Sequence, residues 1–353
     1  MKIGRGIIVS AVLAALALVA CAALWTSAVV LAAGPGASGY HLKAKFKLGG
    51  EGGWDYLSFD AAARRFYISR GTHVMVMDDA GKIVGDIPGT EGVHGIALAP
   101  DLGRGFTSNG RSATVTIFDI KTLATIGHAK TGEGPDAIVY DPASKRVFTM
   151  NGRAKNSTAI DGSTGEVAGT IDLGGRPEFA VSDGKGHVYV NLEDKSALVE
   201  IDTAALKVLH TWPLAPCDSP SGLAIDREHR RLFAGCDNKM MAVVNADTGK
   251  VVATPAIGEG VDANGFDPGM QLAFSSNGDG TLTVVHEDSP DKYTVVENVP
   301  TQPRARTMAL DETTHDVYLV TADFGTAPAA TADNPRPRPP MVPDSFVVLV
   351  FSK

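Results

Sequence analysis

A unit of about 42 residues recurs along most of this chain of 353 residues, and it restricts the available folds more than any other feature. Residues 134–153 read GPDAIVYDPASKRVFTMNGR, residues 260–278 read GVDANGFDPGMQLAFSSNG, and residues 92–110 read GVHGIALAPDLGRGFTSNG. A unit copied in this way usually cannot bury its apolar face alone, so neighbouring copies must stack to form a core. The repeat therefore predicts a modular fold, which also suits a chain longer than a typical single core.

Seven copies align on the two residues that open the first strand of each unit, at spacings of 39, 42, 42, 43, 41 and 44. Each copy continues with an Asp- or Pro-containing turn, a second strand with an aromatic residue near its middle, and a third strand. In most copies a further turn and a fourth strand follow. The aligned pairs are Trp54-Asp55, Val93-His94, Pro135-Asp136, Pro177-Glu178, Pro220-Ser221, Val261-Asp262 and Ala305-Arg306. Four antiparallel strands in about 42 residues are typical of one β-propeller blade.

The two ends of the repeated region complement each other. The last unit has two strands, a Pro-rich insert at residues 322–344 and a third strand at residues 345–351, but no fourth strand. One unpaired strand lies at residues 40–48, before the first unit. An N-terminal strand that completes the last blade would leave no exposed edge. We therefore predict an all-β fold over residues 40–353: a seven-bladed β-propeller with four antiparallel strands per blade, closed by the N-terminal strand.

The units resemble the YVTN-type repeats of the YncE-like β-propeller family. The resemblance rests on GPDAIVYDPASKRVFTMNG, IDGSTGEVAGTIDLGG and VNADTGKVVATPAIGEG, and it covers residues 40–353. VFTMNG and AFSSNG stand where the literal YVTN string would be. The resemblance implies an exported seven-bladed propeller of a kind often found without an assigned activity. Related propeller families include lactonases and the haem-d1 domain of nitrite reductases.

Residues 1–33 differ from the rest of the chain. Lys2 and Arg5 precede an apolar run over residues 7–33 that ends in small residues. This pattern indicates a cleaved signal peptide, and the run is also long enough to remain as an N-terminal membrane anchor. In both cases residues 34–39 are a linker and the body is periplasmic or secreted, anchored to the inner membrane by residues 7–33 in the second case. LVAC, ending at Cys21, resembles a lipoprotein cleavage box, but the apolar sequence after it speaks against that processing.

The charge and cysteine content narrow the partners and the compartment. The formal net charge of −8 disfavours non-specific binding to nucleic acid and adhesion to anionic lipid, since both depend on clustered Lys and Arg. Membrane contact is then expected only through an uncleaved N-terminal segment. Cys217 and Cys236 flank one predicted hairpin, whose antiparallel strands bring them to the same end. We expect a disulfide in an oxidising compartment, the alternative being two free thiols.

A candidate site follows from the geometry of a propeller, in which the first strand of each blade lines the central channel. The residues that open these strands gather at one mouth: Asp55, His94, Asp136, Glu178, Ser221, Asp262 and Arg306. The ends of the second strands add a rim of Arg70, Asn109, Asn151, Asp237 and Asn277. Such a mouth suits a small polar ligand or a divalent cation, the candidate metal ligands being Asp55, His94, Asp136, Glu178 and Asp262. Alternatively, these residues cap strands and bond neighbouring blades around a water-filled channel.

The motif content favours binding over catalysis. The sequence has no HExxH, GxSxG or P-loop motif, and Ser221 has no base near it in sequence. We therefore expect a non-enzymatic protein that binds a partner protein or a small polar ligand at the channel mouth. The alternative is a metal-assisted, lactonase-like hydrolase in which a cation polarises a carbonyl and a ring carboxylate activates water. We expect the Pro-rich insert either to cover the ring as a lid, with Arg336 and Arg338 facing the carboxylates, or to form a solvated loop.

Overall fold

The computed structural model of the protein describes residues 38–329, 331 and 337–353. The predicted signal peptide or anchor at residues 1–33 lies outside this part of the chain, as do residues 34–37 of the predicted linker and Arg336 of the insert. The described residues form 27 β-strands and two 3-10 helices, Pro100–Leu102 and Glu193–Lys195. None of their helices is long and apolar enough to cross a membrane. The prediction of an all-β fold is confirmed.

In chain order the strands are β1 (His41–Lys47), β2 (Leu57–Asp60), β3 (Arg65–Ser69), β4 (Gly71–Asp78), β5 (Ile83–Ala99), β6 (Arg104–Asn109), β7 (Thr114–Asp119), β8 (Thr125–Lys130), β9 (Pro135–Asp141), β10 (Arg146–Asn151), β11 (Asn156–Asp161), β12 (Val167–Asp172), β13 (Pro177–Ser182), β14 (His187–Leu192), β15 (Ala197–Asp202), β16 (Lys207–Pro213), β17 (Pro220–Asp226), β18 (Arg231–Cys236), β19 (Met240–Asn245), β20 (Val251–Ala253), β21 (Val261–Asp267), β22 (Leu272–Asn277), β23 (Thr281–Ser289), β24 (Lys292–Pro300), β25 (Met308–Asp311), β26 (Asp316–Thr321) and β27 (Val347–Ser352).

The strands of the described residues form six antiparallel sheets. Five have four strands each: β9 to β12, β13 to β16, β17 to β20, β21 to β24, and β25, β26, β27 and β1. The sixth has seven strands, β2 to β8. It departs from the predicted separation of the first two units because β5 is continuous over 17 residues. The first part of β5 pairs with β4 and its second part with β6. The two parts overlap at Val93, which pairs with both Gly71 of β4 and Asn109 of β6.

In six of the seven units an Asp side chain shapes the turn between the first and second strands; the second unit has a 3-10 turn there instead. At the β2–β3 turn, Asp60 Oδ1 accepts hydrogen bonds from the backbone N–H groups of Ala62 and Ala63. Arg64 then takes a left-handed conformation, with φ of 54°, and leads into β3. Asp and Asn favour such turns because their side chains bond the backbone a few residues ahead. We call this turn the hinge of the unit. Its local chemistry explains why it could be predicted from the sequence.

The apolar core lies between successive sheets. The aromatic residues of the second strands are all buried: Phe66, Phe106, Phe148, Tyr189, Phe233, Phe274 and Tyr318. Around them, apolar clusters join each sheet to the next, and one cluster joins β21–β24 to β25–β27 while another joins β25–β27 back to β2–β4. A further cluster lies within the seven-stranded sheet, between β3 and β4 on one side and the second part of β5 with β7 on the other. This closed succession of stacked sheets is the arrangement of a β-propeller.

The first and last described strands meet in one sheet. The strand β1 pairs antiparallel with β27, from His41 opposite Ser352 to Lys47 opposite Val347. The predicted contribution of the N-terminal strand to the last sheet is therefore present in the fold. Because this pairing covers the outer edge of β27, it removes an edge that would otherwise offer unpaired backbone groups.

The two cysteines of the body lie at one end of the β17–β18 hairpin, where Pro220 is paired with Cys236. Cys217 and Cys236 form a disulfide, with their Cα atoms 5.5 Å apart. Both residues are buried and belong to the apolar cluster between β13–β16 and β17–β20. The covalent link thus lies beside the channel end of this sheet, close to Ser219 and Ser221.

Candidate functional site

The structure brings the seven predicted ring residues to one cavity of about 490 Å³. Four stand at the second residue of β9, β13, β17 and β21. His94 lies within β5, where its pairing with β6 begins, and the other two lie two residues before β2 and β25. These positions share one geometry because each first strand begins at the same end of the closed ring. The residues are Asp55, His94, Asp136, Glu178, Ser221, Asp262 and Arg306. We call the four carboxylates and His94 the acidic floor.

One half of the acidic floor is centred on His94. Its Nδ1 lies 2.6 Å from Oδ2 of Asp55 and 3.6 Å from Oδ1 of Asp136, the second distance being too long for a hydrogen bond. The hydrogen bond to Asp55 raises the pKa of His94 to about 9, with the neighbouring carboxylates adding to the effect. Burial raises the pKa of Asp136 to about 6, and Asp136 Oδ1 has no hydrogen-bond partner. At neutral pH the His94 ring is therefore protonated on both nitrogens and positively charged.

The other half of the floor contains Glu178 and Asp262. Burial, followed by repulsion from Asp136, raises the pKa of Glu178 to about 8. Glu178 Oε2 is buried without a hydrogen-bond partner, its nearest cationic group being Arg176 Nη2 at 3.7 Å. Asp262 accepts a hydrogen bond from Ser221 Oγ at 3.2 Å and pairs with Arg306 Nε at 3.1 Å. Burial nevertheless raises the pKa of Asp262 to about 7, so both groups hold protons more tightly than usual.

Tyr56 is a floor residue that sequence reasoning missed. It is buried, lines the cavity, and packs edge-on against Phe179 with ring centroids 5.1 Å apart. Phe179 lines a second cavity, of about 230 Å³, whose other walls come from different parts of the first strands. The two rings therefore separate the two cavities. Burial and the surrounding carboxylates raise the pKa of Tyr56 well above its ordinary value, which keeps the phenol neutral.

An arginine rim surrounds the acidic floor; Arg306 and Arg338 were expected there from the sequence, but its other members were missed. Its members line the main cavity or the three smaller ones beside it: Arg111, Arg153, Arg176, Arg304, Arg306 and Arg338. Some have partners at the mouth, since Arg176 Nη1 lies 2.9 Å from Glu193 Oε2 and Arg153 Nη2 donates to the carbonyl of Gly110 at 3.2 Å. The signal was the repeated string Asn-Gly-Arg at residues 109–111 and 151–153. The mouth therefore combines a negative floor with a positive rim.

The predicted rim of asparagines is a correction. Asn109, Asn151 and Asn277 are buried at the ends of their second strands, with amides used inside the blade. Asn109 Nδ2 donates to Thr114 Oγ1 and Thr116 Oγ1, while its Oδ1 accepts from Thr107 Oγ1. Asn151 and Asn277 repeat this pattern with the equivalent residues of their own sheets. These amides tie the second strand to the third and have no free group for a ligand.

Two other predicted rim residues differ from each other. Arg70 is fully buried, stacks on the ring of Phe346 at 3.7 Å, and donates to the carbonyls of Gly49, Gly50 and Glu51. It supports the loop before the first unit instead of facing the channel. Asp237 is exposed and lines the main cavity, as expected.

The Pro-rich insert reaches the channel mouth through its described ends. Phe324 pairs with Met341, and the N–H of Gly325 donates to the carbonyl of Pro340 at 2.9 Å. The ring of Phe324 lies against Arg304 at 4.0 Å and against Trp54 at 6.0 Å between centroids. Arg338 lines the main cavity together with the floor carboxylates. Of the two arginines expected to face the ring, Arg338 is at the mouth and Arg336 lies outside the described residues.

The five predicted metal candidates do not all come together. Asp55, His94 and Asp136 each offer a ligand atom, and these atoms lie within 4.8 Å of one another. Glu178 and Asp262 stand outside this group. The floor therefore offers one cluster of three donors for a divalent cation and, beside it, two carboxyl groups of raised pKa.

Comparisons with known proteins bear on the fold alone. No protein-family model matches the chain, and no curated protein matches it. Among solved structures, hydrazine synthase of Kuenenia stuttgartiensis aligns with a TM-score of 0.67 and 16% identity, covering 80% of this chain and 95% of that chain. A structure of the mitotic checkpoint complex aligns at 0.72 and 13%, covering 88% and 91%, and U3-55K at 0.71 and 9%, covering 90% and 99%. These propeller-like neighbours support the β-propeller fold.

Proposed function

We propose that the protein is an exported, YncE-like β-propeller that binds a small polar ligand at the mouth of its channel. The observation that carries the proposal is a cavity of about 490 Å³ with buried carboxylate oxygens of Asp136 and Glu178 that have no hydrogen-bond partner among the described residues. Buried polar atoms are almost always satisfied, so atoms of this kind in a cavity favour a ligand that supplies donors. The volume suits a small molecule better than a macromolecular surface.

The charges of the mouth define the class of ligand. A donor-rich cationic group, such as an ammonium, fits the acidic floor, where it would offset the repulsion among the carboxylates. An anionic group fits the arginine rim, because guanidinium groups bind carboxylates and phosphates through two parallel hydrogen bonds. We therefore infer an amphoteric ligand that places its cation on Glu178 and Asp136 and its anion near Arg306 and Arg338.

We further propose seven blades, with the seven-stranded sheet counted as two. Support comes from the apolar cluster inside that sheet, which resembles the clusters between separate sheets. The two parts of β5 would then be the fourth strand of one blade and the first strand of the next. Export is proposed from the apolar run at residues 7–33.

A panel of amphoteric, cationic and anionic probes tests the binding proposal. The full-length protein is screened by thermal shift with Lys-Glu dipeptide, spermidine and glutamate, each at several concentrations. We expect the dipeptide to raise Tm most, and Glu178→Gln to remove most of this rise. Glu166→Gln is the matched control, since Glu166 lies exposed in the turn between β11 and β12 at the opposite end of the blade.

Equal shifts in the wild type and in Glu178→Gln would refute binding at the floor, as would no shift with any probe. In that case we would turn to a macromolecular partner of the mouth.

Metal-assisted hydrolysis is the second candidate, favoured by the grouping of Asp55, His94 and Asp136. A cation held there would polarise a carbonyl, and a neighbouring ring carboxylate would accept a proton from the attacking water. Elemental mass spectrometry on protein purified without chelators, followed by a lactone and ester screen, tests this candidate. Asp136→Asn should lose both the metal and the turnover. Turnover that persists in this variant would place the reaction elsewhere.

A further inference from the structure

The hinge carboxylates at the opposite ends of the first strands show a pattern between blades. Asp183 lies 3.3 Å from Nη1 of Arg230, Asp267 lies 2.7 Å from Nδ1 of His315, and Asp311 is paired with Arg64 Nη1 at 2.5 Å. In each of these three cases the basic partner comes from the hinge of the next unit. Buried carboxylates are normally paired in this way, because an unpaired buried charge is costly.

The junction between the sheets β17–β20 and β21–β24 breaks the pattern. The hinge carboxylate here is Asp226, and the equivalent residue of the next unit is Gln271. The next sheet instead places Glu287, from β23, beside it. Both side chains are almost fully buried, with 2% and 1% exposed for Asp226 and Glu287. Two carboxylates therefore meet here, whereas three other junctions pair the carboxylate with a basic side chain.

His229 is the one ionic partner that Asp226 and Glu287 share among the described residues. Its Nδ1 lies 2.7 Å from Oδ2 of Asp226 and 3.3 Å from Oε1 of Glu287. The hydrogen bond of Nδ1 goes to Asp226, and both oxygens of Glu287 are left without a hydrogen-bond partner. The nearby Arg231 donates to Asp291 and to the carbonyls of His229, Arg230 and Pro290 instead. Among the described residues, Glu287 is thus a buried carboxylate that lies beside the Tyr293 hydroxyl, which donates to the carbonyl of Pro290 at 2.9 Å, and one of its oxygens faces the cluster.

We propose that Asp226, His229 and Glu287 bind a divalent first-row transition metal, with Zn²⁺ as the best match. Their three donor atoms lie within 4.8 Å of one another. One imidazole nitrogen and two carboxylate oxygens are ligands that Zn²⁺ accepts, and the 30% exposure of His229 leaves access for a water as a fourth ligand. Ca²⁺ fits less well because it requires six to eight oxygen ligands.

Binding through Nδ1 requires the neutral tautomer of His229 that carries its proton on Nε2, so the metal takes the place of the Nδ1 proton that is hydrogen-bonded to Asp226. The bound ion would neutralise two buried carboxylates that come from different sheets. It would therefore join two neighbouring sheets at the end of the ring opposite the acidic floor. This site is independent of the ligand proposed for the channel mouth.

Zinc binding to the full-length protein tests the proposal. The protein is stripped with EDTA, dialysed, and titrated with ZnCl₂ in a calorimeter, in the Asp136→Asn background so that the floor cluster does not contribute. We expect one equivalent to bind and Tm to rise. Replacing Zn²⁺ by Co²⁺ should give the visible absorption bands of a site with nitrogen and oxygen ligands.

Three variants in the same background locate the ion. Glu287→Gln and His229→Gln should each weaken zinc binding by at least about 100-fold, since loss of a supporting partner alone costs 10- to 100-fold. His315→Gln is the matched control, because it removes a hinge histidine whose ion pair among the described residues is with Asp267, and it should change affinity by less than about 3-fold. If Glu287→Gln fails to fold, the result for His229→Gln decides the test, because the His229 side chain is partly exposed and its replacement disturbs the core less. The proposal is overturned if the background protein binds no zinc, or if neither variant weakens binding relative to His315→Gln.

Discussion

Replacing Glu178 by glutamine probes the acidic floor through the pH dependence of stability. Burial raises the pKa of Glu178 from 4.5 to about 8 in the folded protein. Between these two values the folded state holds a proton that the unfolded state has released, so stability falls as pH rises. Each pKa unit corresponds to about 1.4 kcal/mol, which gives a total loss of about 3 to 5 kcal/mol by pH 9. Glutamine has nearly the same shape and carries no such penalty.

We therefore expect Glu178→Gln to match the wild type at pH 4 and to exceed it by about 3 to 5 kcal/mol at pH 9. The measurement is urea unfolding followed by tryptophan fluorescence at pH 4, 6.5 and 9, with m-values compared to detect a change of mechanism. Glu166→Gln, on an exposed turn, should show no difference that grows with pH. A constant difference between Glu178→Gln and wild type across this range would refute the raised pKa and the unpaired state of the floor.

Three further predictions address other parts of the molecule. Replacing Cys217 and Cys236 together by serine should lower the free energy of unfolding by about 3 kcal/mol in urea melts, because a loop with a sequence separation of 19 is no longer closed. Asn109→Ala should cost about 2 to 4 kcal/mol in the same assay and leave ligand binding unchanged, since it empties a buried amide site away from the channel. Asp55→Asn should lower the pKa of His94 from about 9 towards its ordinary 6.5, which NMR titration of the imidazole can follow. An unchanged His94 pKa would mean that the hydrogen bond to Asp55 is not its main cause.

Much of the fold was predictable because its determinants are local and repeated. An Asp that bonds the backbone of its own turn marks a turn between strands, as Asp60 does after a first strand and Asp119 does after a third strand. The aromatic residue of each second strand marks a buried position by the same logic. The continuous β5 was not predictable, since it depends on the pairing of β4 both with residues 83–88 and with Val93.

The residues of the candidate site could also be predicted only in part. The sequence placed Asp55, His94 and Asp136 at one mouth, because first strands begin together once the ring closes. The prediction of a mouth position failed for Asn109 and Asn277. Their side chains are as polar as those of the ring residues, and they recur as regularly at the ends of second strands. The orientation of a side chain at a strand end depends on twist and on hydroxyl partners across the sheet, which the alignment of units does not contain.

The sequence by itself determined the repeat period, the strand and turn chemistry, the burial of the aromatic residues and the pairing of the two termini. Tertiary structure alone decided which other distant groups meet: Arg111, Arg153 and Arg176 near the carboxylates, Tyr56 beneath them, and Glu287 beside Asp226. The reason is physical. Turns and strands arise from interactions over a few residues, whereas the electrostatic state of a carboxylate depends on burial and on charges brought near it by the whole ring.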